Sequence, residues 1–186
     1  MNEPGYSAPD ITLLGQDHID RYRETDGEEG YLWNGATALL LTTTGRKSGE
    51  PRTSALIFAR DGDDYLVVAS MGGAPQHPSW YLNITDDPDA EIQVKGEHIP
   101  VRARTATDDE KPRLWKIVNE QWPNYAVYQT RTDRQIPVVV LSPRLPRPRH
   151  HPFRGPNVSP TARSPCSGRA RVRSSRRTRS SPPRAG

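Results

Sequence analysis

Short apolar or alternating segments, separated by turn residues, run through the first 142 residues of the chain. They predict six β-strands, at residues 36–43, 52–59, 65–70, 90–94, 98–106 and 136–141. The pattern predicts helices at residues 17–25, 78–84, 107–121 and 125–131. Thr107 and Glu110 have the spacing of a capping box at the start of the third helix. Because hairpins dominate and no strand–helix–strand rhythm is visible, the predicted fold class is α+β, a small antiparallel β-barrel with packed helices.

The charge of this 186-residue chain is unevenly distributed. Residues 143–186 contain twelve Arg and nine Pro without any Lys, Asp or Glu, whereas residues 1–142 contain 14 basic and 22 acidic residues, a formal charge of −8. The sequence pI of 9.4 therefore comes from the C-terminal segment and does not indicate that the preceding part binds nucleic acid. The expected organisation is a flexible arm at residues 1–17, a folded domain at 18–142 and a disordered tail at 143–186.

Two interpretations of the tail are open. It is either a basic arm that contacts RNA or a membrane surface, or the out-of-frame product of a GC-rich gene. The absence of Lys and of acidic residues favours the second interpretation.

Several classes of protein are excluded by what the sequence lacks. The single cysteine, Cys166, lies in the tail, so the domain has no disulfide framework, no cysteine zinc site and no cysteine nucleophile. The five histidines lack metal-ligand spacing, and no metal is expected. No apolar run approaches the ~20 residues of a membrane helix, and the N-terminus does not resemble a signal peptide. A cytoplasmic protein is expected.

Three segments carry candidate chemistry. Residues 42–49 end a strand in a glycine-bracketed turn with two cations, which suits a phosphate or a carboxylate. Residues 70–83 join a Gly-Gly turn to an aromatic helix that could wall a planar ring, and Tyr125 and Tyr128 share one helix face. A solvated turn, a core Trp80 and packed aromatics are the plain structural alternatives. Without an obvious proton-transfer group, the set favours a cofactor that carries its own reactivity.

The order of these motifs resembles the deazaflavin-dependent nitroreductase family, actinobacterial enzymes that use coenzyme F420. The resemblance covers about residues 12–142 and is carried by LLTTTGRKSG, ASMGG, HPSWYLN and YAVYQTRTDR, which begin at residues 40, 69, 77 and 125. It implies a split β-barrel of about six strands related to the FMN-binding barrel. The implied cofactor is coenzyme F420, with FMN as the alternative.

The resemblance also implies which residues form the site. Those implied to bind the coenzyme are Arg46, Lys47, Ser48, Arg52, Thr53, Ser54, Ala55, Leu56, Ile57, Val68, Ala69, Ser70, Met71, Ser79, Trp80, Tyr81, Leu82 and Asn83. Catalytic roles fall on Ser70, nearest the reacting face of the ring, and on Tyr125 and Tyr128 in the substrate pocket. Two further pocket positions, Ile57 and Trp122, are apolar here and affect substrate preference.

The implied reaction is hydride transfer from reduced coenzyme F420 to an electron-poor small molecule, such as a quinone, an activated alkene or a nitroaromatic. Two alternatives are a non-catalytic carrier of the coenzyme and a nucleic-acid-binding protein that acts through the tail. The folded domain itself is not expected to bind nucleic acid, and peripheral membrane contact and the oligomeric state are left open.

Overall fold

The computed structural model describes residues 6–144, which form seven β-strands, four α-helices and one 3₁₀ turn. The strands are β1 (Leu32–Trp33), β2 (Ala36–Thr44), β3 (Pro51–Asp61), β4 (Asp64–Val68), β5 (Asp89–Val94), β6 (Glu97–Thr105) and β7 (Val138–Pro143). The helices are α1 (Gln16–Glu24), α2 (Ser79–Asp86), α3 (Lys111–Gln121) and α4 (Asn124–Thr130), and the 3₁₀ turn is Met71–Gly73.

The strands form one antiparallel sheet that closes on itself. Its order is β1-β2-β3-β4-β7-β6-β5, and β5 also pairs with β2. This last ladder is short, with only Leu40↔Gln93, Leu41↔Ile92 and Thr42↔Glu91 in register. Strands β2–β7 therefore form a closed six-stranded barrel, which confirms the predicted fold class.

The core has two layers because β4 and β7 are covered on both faces. Val67 and Val139 point into the barrel with residues from the other long strands. Their neighbours Leu66 and Val138 point outward and pack under α3 and α4. Burial on both faces explains why β4 and β7 have continuous apolar runs, whereas one-sided β6 alternates.

Some predicted boundaries are wrong. The third predicted strand ends at Val68 instead of Ser70, because Ser70 adopts a helical backbone conformation (φ −79°, ψ −42°) and begins the 3₁₀ turn. The last strand begins at Val138, after Pro137, whose nitrogen has no hydrogen to donate to a ladder. The two-residue strand β1 was not predicted because it is too short to carry a pattern.

The predicted helix cap at Thr107 is also wrong. Helix α3 begins at Lys111, and a turn precedes it in which Thr107 O accepts from Lys111 N at 2.9 Å. Only the reverse half of the capping box forms, with Thr107 N donating to Glu110 Oε1 at 3.3 Å. Pro112 sits in the first turn of α3, where its missing N–H costs no intrahelical bond.

The chain before α1 packs on the barrel through paired hydrogen bonds. Ser7 N donates to Asn124 Oδ1 at 3.0 Å, and Asn124 Nδ2 donates back to Ser7 O at 2.7 Å. Trp33 Nε1 donates to Leu13 O at 2.7 Å. Residues 7–13 therefore lie over α4 and β1, although they belong to the predicted flexible arm.

Residues 1–5 and 145–186 lie outside the described range, and they include nearly all of the predicted tail. The predicted three-part organisation stays a prediction. Within residues 6–144, no helix is long and apolar enough to cross a membrane.

Candidate active site

An apolar cavity of about 380 Å³ opens between β3, the 3₁₀ turn and α4. Ten of the residues predicted for the site line it, namely Ser54, Ala55, Leu56, Ile57, Val68, Ser70, Met71, Trp80, Tyr125 and Tyr128. Trp122, which the resemblance places at a pocket position, lines it as well. Flat aromatic and aliphatic walls of this kind suit a planar ring.

A second cavity, of about 370 Å³, adjoins the first and is cationic. Its walls come from the turn after β2, from β3 and from α2, and include Arg46, Lys47, Ser48, Arg52, Ser54, Ser79, Trp80 and Asn83. Ser54 and Trp80 line both cavities, so the two spaces meet at these residues. The predicted anion-binding and ring-binding residues are therefore brought together in the fold.

The cationic turn is shaped by its own backbone. Gly45 N donates to Glu50 O at 2.8 Å, and Gly49 N donates to Gly45 O at 2.7 Å. A Cβ on Gly45 would lie 2.8 Å from Ser48 Oγ and 3.0 Å from Glu50 O, so a larger residue would crowd the closed turn. The exposed Arg46 and Lys47 side chains have no ion-pair partner within residues 6–144 and are available to an anionic ligand.

Asn83 fastens this turn to α2. Its buried amide donates from Nδ2 to Thr43 Oγ1 at 3.0 Å and accepts at Oδ1 from Arg46 N at 3.2 Å. Both polar atoms of the side chain are thereby used. Asn83 lines the cationic cavity and sets the position of the residues that carry its charge.

Tyr125 and Tyr128 lie side by side on α4, with ring centroids 6.2 Å apart. Both rings are buried, and burial raises the pKa of Tyr125, so its phenol stays protonated at neutral pH. Neither hydroxyl has a hydrogen-bond partner among the residues that the structure describes. Each is therefore a donor available to a ligand in the apolar cavity.

Four of the residues predicted to bind the coenzyme line neither cavity. Thr53 Oγ1 lies 2.9 Å from Thr42 Oγ1 on the sheet, and Ala69 is buried in the barrel core. The Tyr81 hydroxyl pairs with Thr105 Oγ1 at 3.0 Å, and Leu82 lies further along α2. The structure thus gives no direct support for a ligand contact at these four positions.

The sequence analysis did not identify His18 or Trp33, which line the apolar cavity. His18 is buried, donates from Nε2 to Gly30 O at 2.8 Å and stacks on Trp33 with ring centroids 6.2 Å apart. The i, i+4 spacing of His18 and Tyr22 on α1 was a signal that His18 lies on the buried face of that helix.

A closed antiparallel barrel with a cationic cavity beside an apolar one defines a split barrel suited to a cofactor that has an acidic end and a flat ring. The sequence profile of the F420H(2)-dependent quinone reductase family matches residues 14–143, and the chain belongs to that family. The resemblance described from the motifs is confirmed.

Similar proteins agree with this assignment. The chain is 50% identical over 131 residues to an F420H(2)-dependent quinone reductase of Mycobacterium tuberculosis. The aligned segment covers 68% of this chain and 88% of the relative. Among solved structures it is similar to the F420-H2 dependent reductase FDR-A, at 42% identity and a TM-score of 0.53, over 56% of this chain and 93% of that one. A second solved structure, described as a domain-swapped dimer, is 37% identical with a TM-score of 0.56. The match covers 68% of this chain and 96% of that one. The FMN alternative receives no support from these relatives.

Proposed function

We propose that this protein reduces a quinone by hydride transfer from reduced coenzyme F420. The observation that carries the proposal is the junction of the two cavities at Ser54 and Trp80. A ligand that spans the junction would have one end among unpaired cations and the other against aromatic walls. That division matches a coenzyme with a flat ring and a phosphate-bearing acidic tail.

The cations of this chain fit the acidic end of the coenzyme. Arg46, Lys47 and Arg52 line the second cavity, and their side chains would donate to an anionic ligand there. Residues 1–142 carry a net charge of −8, so the overall field would repel an anionic ligand. A local cluster of unpaired cations is what overcomes that repulsion.

The ring of the coenzyme would lie in the apolar cavity. Val68, Ser70 and Met71 would back it, and Trp80 would close the side nearest the cationic turn. When bound, the reduced coenzyme supplies the hydride. The protein's task is to stack an acceptor on that ring and to keep water out.

Tyr125 and Tyr128 would then act on the acceptor. Reduction of a quinone by two electrons needs a hydride at one end and a proton at the carbonyl oxygen that becomes anionic. A protonated phenol, held in the cavity without another partner, would donate a hydrogen bond to that oxygen and stabilise its charge, and the raised pKa of Tyr125 favours this role over loss of its proton. Wide aromatic walls at Trp33 and Trp122 suit a flat quinone ring.

The direct test is oxidation of reduced coenzyme F420 by the purified full-length chain with menadione, followed by absorbance. An activated alkene and a nitroaromatic are run beside it to define the acceptor class. We expect menadione to be reduced and FMN to be ineffective as a replacement for the coenzyme. Tight coenzyme binding without turnover of any acceptor would contradict the proposal and favour a carrier.

The cationic turn has its own test. Replacing Arg46 and Lys47 together with Ala should weaken coenzyme binding by about 2–4 kcal/mol, because two charge-assisted contacts are lost. The control replaces two cations that line neither cavity, Arg102→Ala with Lys116→Ala. Fluorescence titration compares the variants, and equal affinity in all of them would exclude this turn as the anion site.

A further inference from the structure

The turn that carries Ser70 has an unfavourable backbone. Its three residues Met71, Gly72 and Gly73 have φ values of +47°, +65° and +83°, all in the left-handed region. Glycine tolerates that region, but methionine does so only at an energetic cost. The Met71 side chain is 58% exposed and so contributes little packing to offset this cost. A conformation of this kind persists only where neighbouring structure enforces it.

Arg134 brackets this turn from the loop between α4 and β7. Its Nη2 donates to Ser70 O at 2.8 Å and to Ala69 O at 3.1 Å, just before the left-handed residues. Its Nε donates to Ala74 O at 2.8 Å, just after them. Its Nη1 lies 3.3 Å from His77 Nδ1. One planar group thus fixes both ends of the turn.

The guanidinium group of Arg134 is committed to these contacts. Within residues 6–144 it forms no ion pair with a carboxylate, and burial lowers the pKa of Arg134. All three guanidinium nitrogens have partners within the protein, so the role of the group is to hold the backbone conformation of this segment. A lysine could not reproduce this arrangement, because its donors radiate from a single atom.

The bracketed turn also sets the distance to α4. A Cβ on Gly73 would lie 2.5 Å from Tyr128 O, so the turn and the tyrosine-bearing helix are in direct backbone contact. A shift of the turn would therefore move Ser70 and Met71 relative to Tyr125 and Tyr128 across the apolar cavity.

We propose that Arg134 is a positioning residue for hydride transfer, which holds the 70–73 turn in its left-handed form as the wall behind the coenzyme ring. This inference rests on the function proposed above. Arg134 touches neither cavity and acts only through the turn.

The test compares Arg134→Lys with Arg104→Lys, an exposed arginine of β6 that pairs with Glu110. We expect Arg134→Lys to lower kcat about tenfold or more with a smaller change in the KM for coenzyme, because displacement of a positioning wall affects the reacting geometry most. Arg104→Lys should leave kcat within about twofold. Hydrogen exchange of the ligand-free protein should be faster at residues 70–74 in Arg134→Lys only.

A second substitution separates positioning from general stability. Met71→Gly removes the strain that the bracket opposes, so adding it to Arg134→Lys should restore part of the lost kcat. The Arg134→Ala variant should also lose kcat, and guanidinium ion added to the solution should restore part of that kcat. Unchanged kcat and exchange in Arg134→Lys, or a lost kcat that neither Met71→Gly nor guanidinium recovers, would overturn the inference.

Two further outcomes are decisive. If Arg134→Lys does not fold, His77→Ala removes only one of the four contacts, and it should raise exchange at residues 70–74 without unfolding the barrel. Unchanged exchange in that variant would overturn the inference. If the wild-type protein does not oxidise reduced coenzyme F420, the proposed function fails by itself, whereas the exchange data from the ligand-free protein still decide what Arg134 does.

Discussion

At the scale of single residues, the buried Asn83 and the half-buried Asn119 differ in how their amide groups are hydrogen-bonded. Asn83 uses both amide atoms to join Thr43 to the cationic turn. Asn119 donates from Nδ2 to Trp115 O at 3.0 Å, but its Oδ1 is buried without a partner among the described residues. The same substitution should therefore have different effects at the two positions.

We expect Asn83→Leu to lower the free energy of unfolding by about 1–3 kcal/mol, because it leaves the Arg46 backbone N–H without a partner and removes the donor to the Thr43 hydroxyl oxygen. Coenzyme affinity should fall as well, since the turn loses its anchor. Asn119→Leu removes an unpaired acceptor and should change stability by less than about 1 kcal/mol. Urea unfolding measures both variants, and equal losses would contradict the role given to Asn83.

The phenols of α4 make a second prediction at this scale. Tyr125→Phe and Tyr128→Phe should lower turnover with menadione more than they lower coenzyme affinity, because the free hydroxyls face the cavity and not the cationic turn. Tyr81→Phe is the matched control, since its hydroxyl bonds Thr105 away from both cavities. Wild-type turnover in both α4 variants, with several acceptors, would make these tyrosines packing residues only.

At the scale of secondary-structure elements, the contact between the 3₁₀ turn and α4 depends on Gly73. Gly73→Ala forces a Cβ against Tyr128 O, and neither backbone can yield easily. Gly62→Ala is matched to it, with φ +61° and nothing within 4 Å of the added atom. Both variants should lose about 1–2 kcal/mol of unfolding free energy, because alanine is strained in the left-handed conformation. Gly73→Ala should lose about 1–3 kcal/mol more, measured by urea unfolding, through overpacking. Equal losses would mean that α4 is free to shift.

The sequence predicted elements best where one element contains its own signal. Strand β6 shows its alternation and β2 its apolar run, and each was predicted to within a residue or two. The cationic turn was also visible, because its glycines and cations are adjacent in sequence. The cap at Thr107 failed because its pattern suited a helix start that tertiary packing placed four residues later.

The missed parts of the site depend on distant pairs. His18 reaches Gly30 twelve residues away, and Trp33 reaches Leu13 twenty residues away. Arg134 contacts backbone carbonyls 60 to 65 residues earlier in the chain. A carbonyl oxygen is present at every position, so a side chain that recognises carbonyls leaves no pattern in the sequence of its partners.

At the scale of the whole molecule, the last described residue, Arg144, still contacts the barrel, and its contacts show how far the folded part extends. Arg144 N donates to Pro100 O at 2.8 Å, and its guanidinium pairs with Asp89 on β5. These contacts tie the end of β7 to the β5–β6 hairpin. The barrel therefore uses Arg144, one residue beyond the profile match and two beyond the predicted domain end.

A chain shortened to residues 1–144 should match the full-length protein in melting temperature and in turnover at ~0.15 M salt. Any attraction between the eleven arginines beyond residue 144 and the acidic domain is screened at that ionic strength, where the Debye length is about 8 Å. A chain ending at residue 142 should melt lower, because it loses the Arg144 contacts. If the 1–144 chain cannot bind coenzyme or turn over, the tail takes part in function and the out-of-frame interpretation must be dropped.

The barrel is closed by the short ladder between β2 and β5, which is called the seam below and consists of three residue pairs. Opening these three residue pairs would leave every hairpin intact, so the seam is where partial unfolding should begin. Helix α2 leads directly into β5, whereas the cationic turn follows β2, and Asn83 bonds across the gap. A ligand bound in the cationic cavity would contact both the turn after β2 and helix α2, and would therefore stabilise the closed seam. Coenzyme binding should then slow amide exchange at Leu41 and Ile92, in proportion to the occupancy of the site.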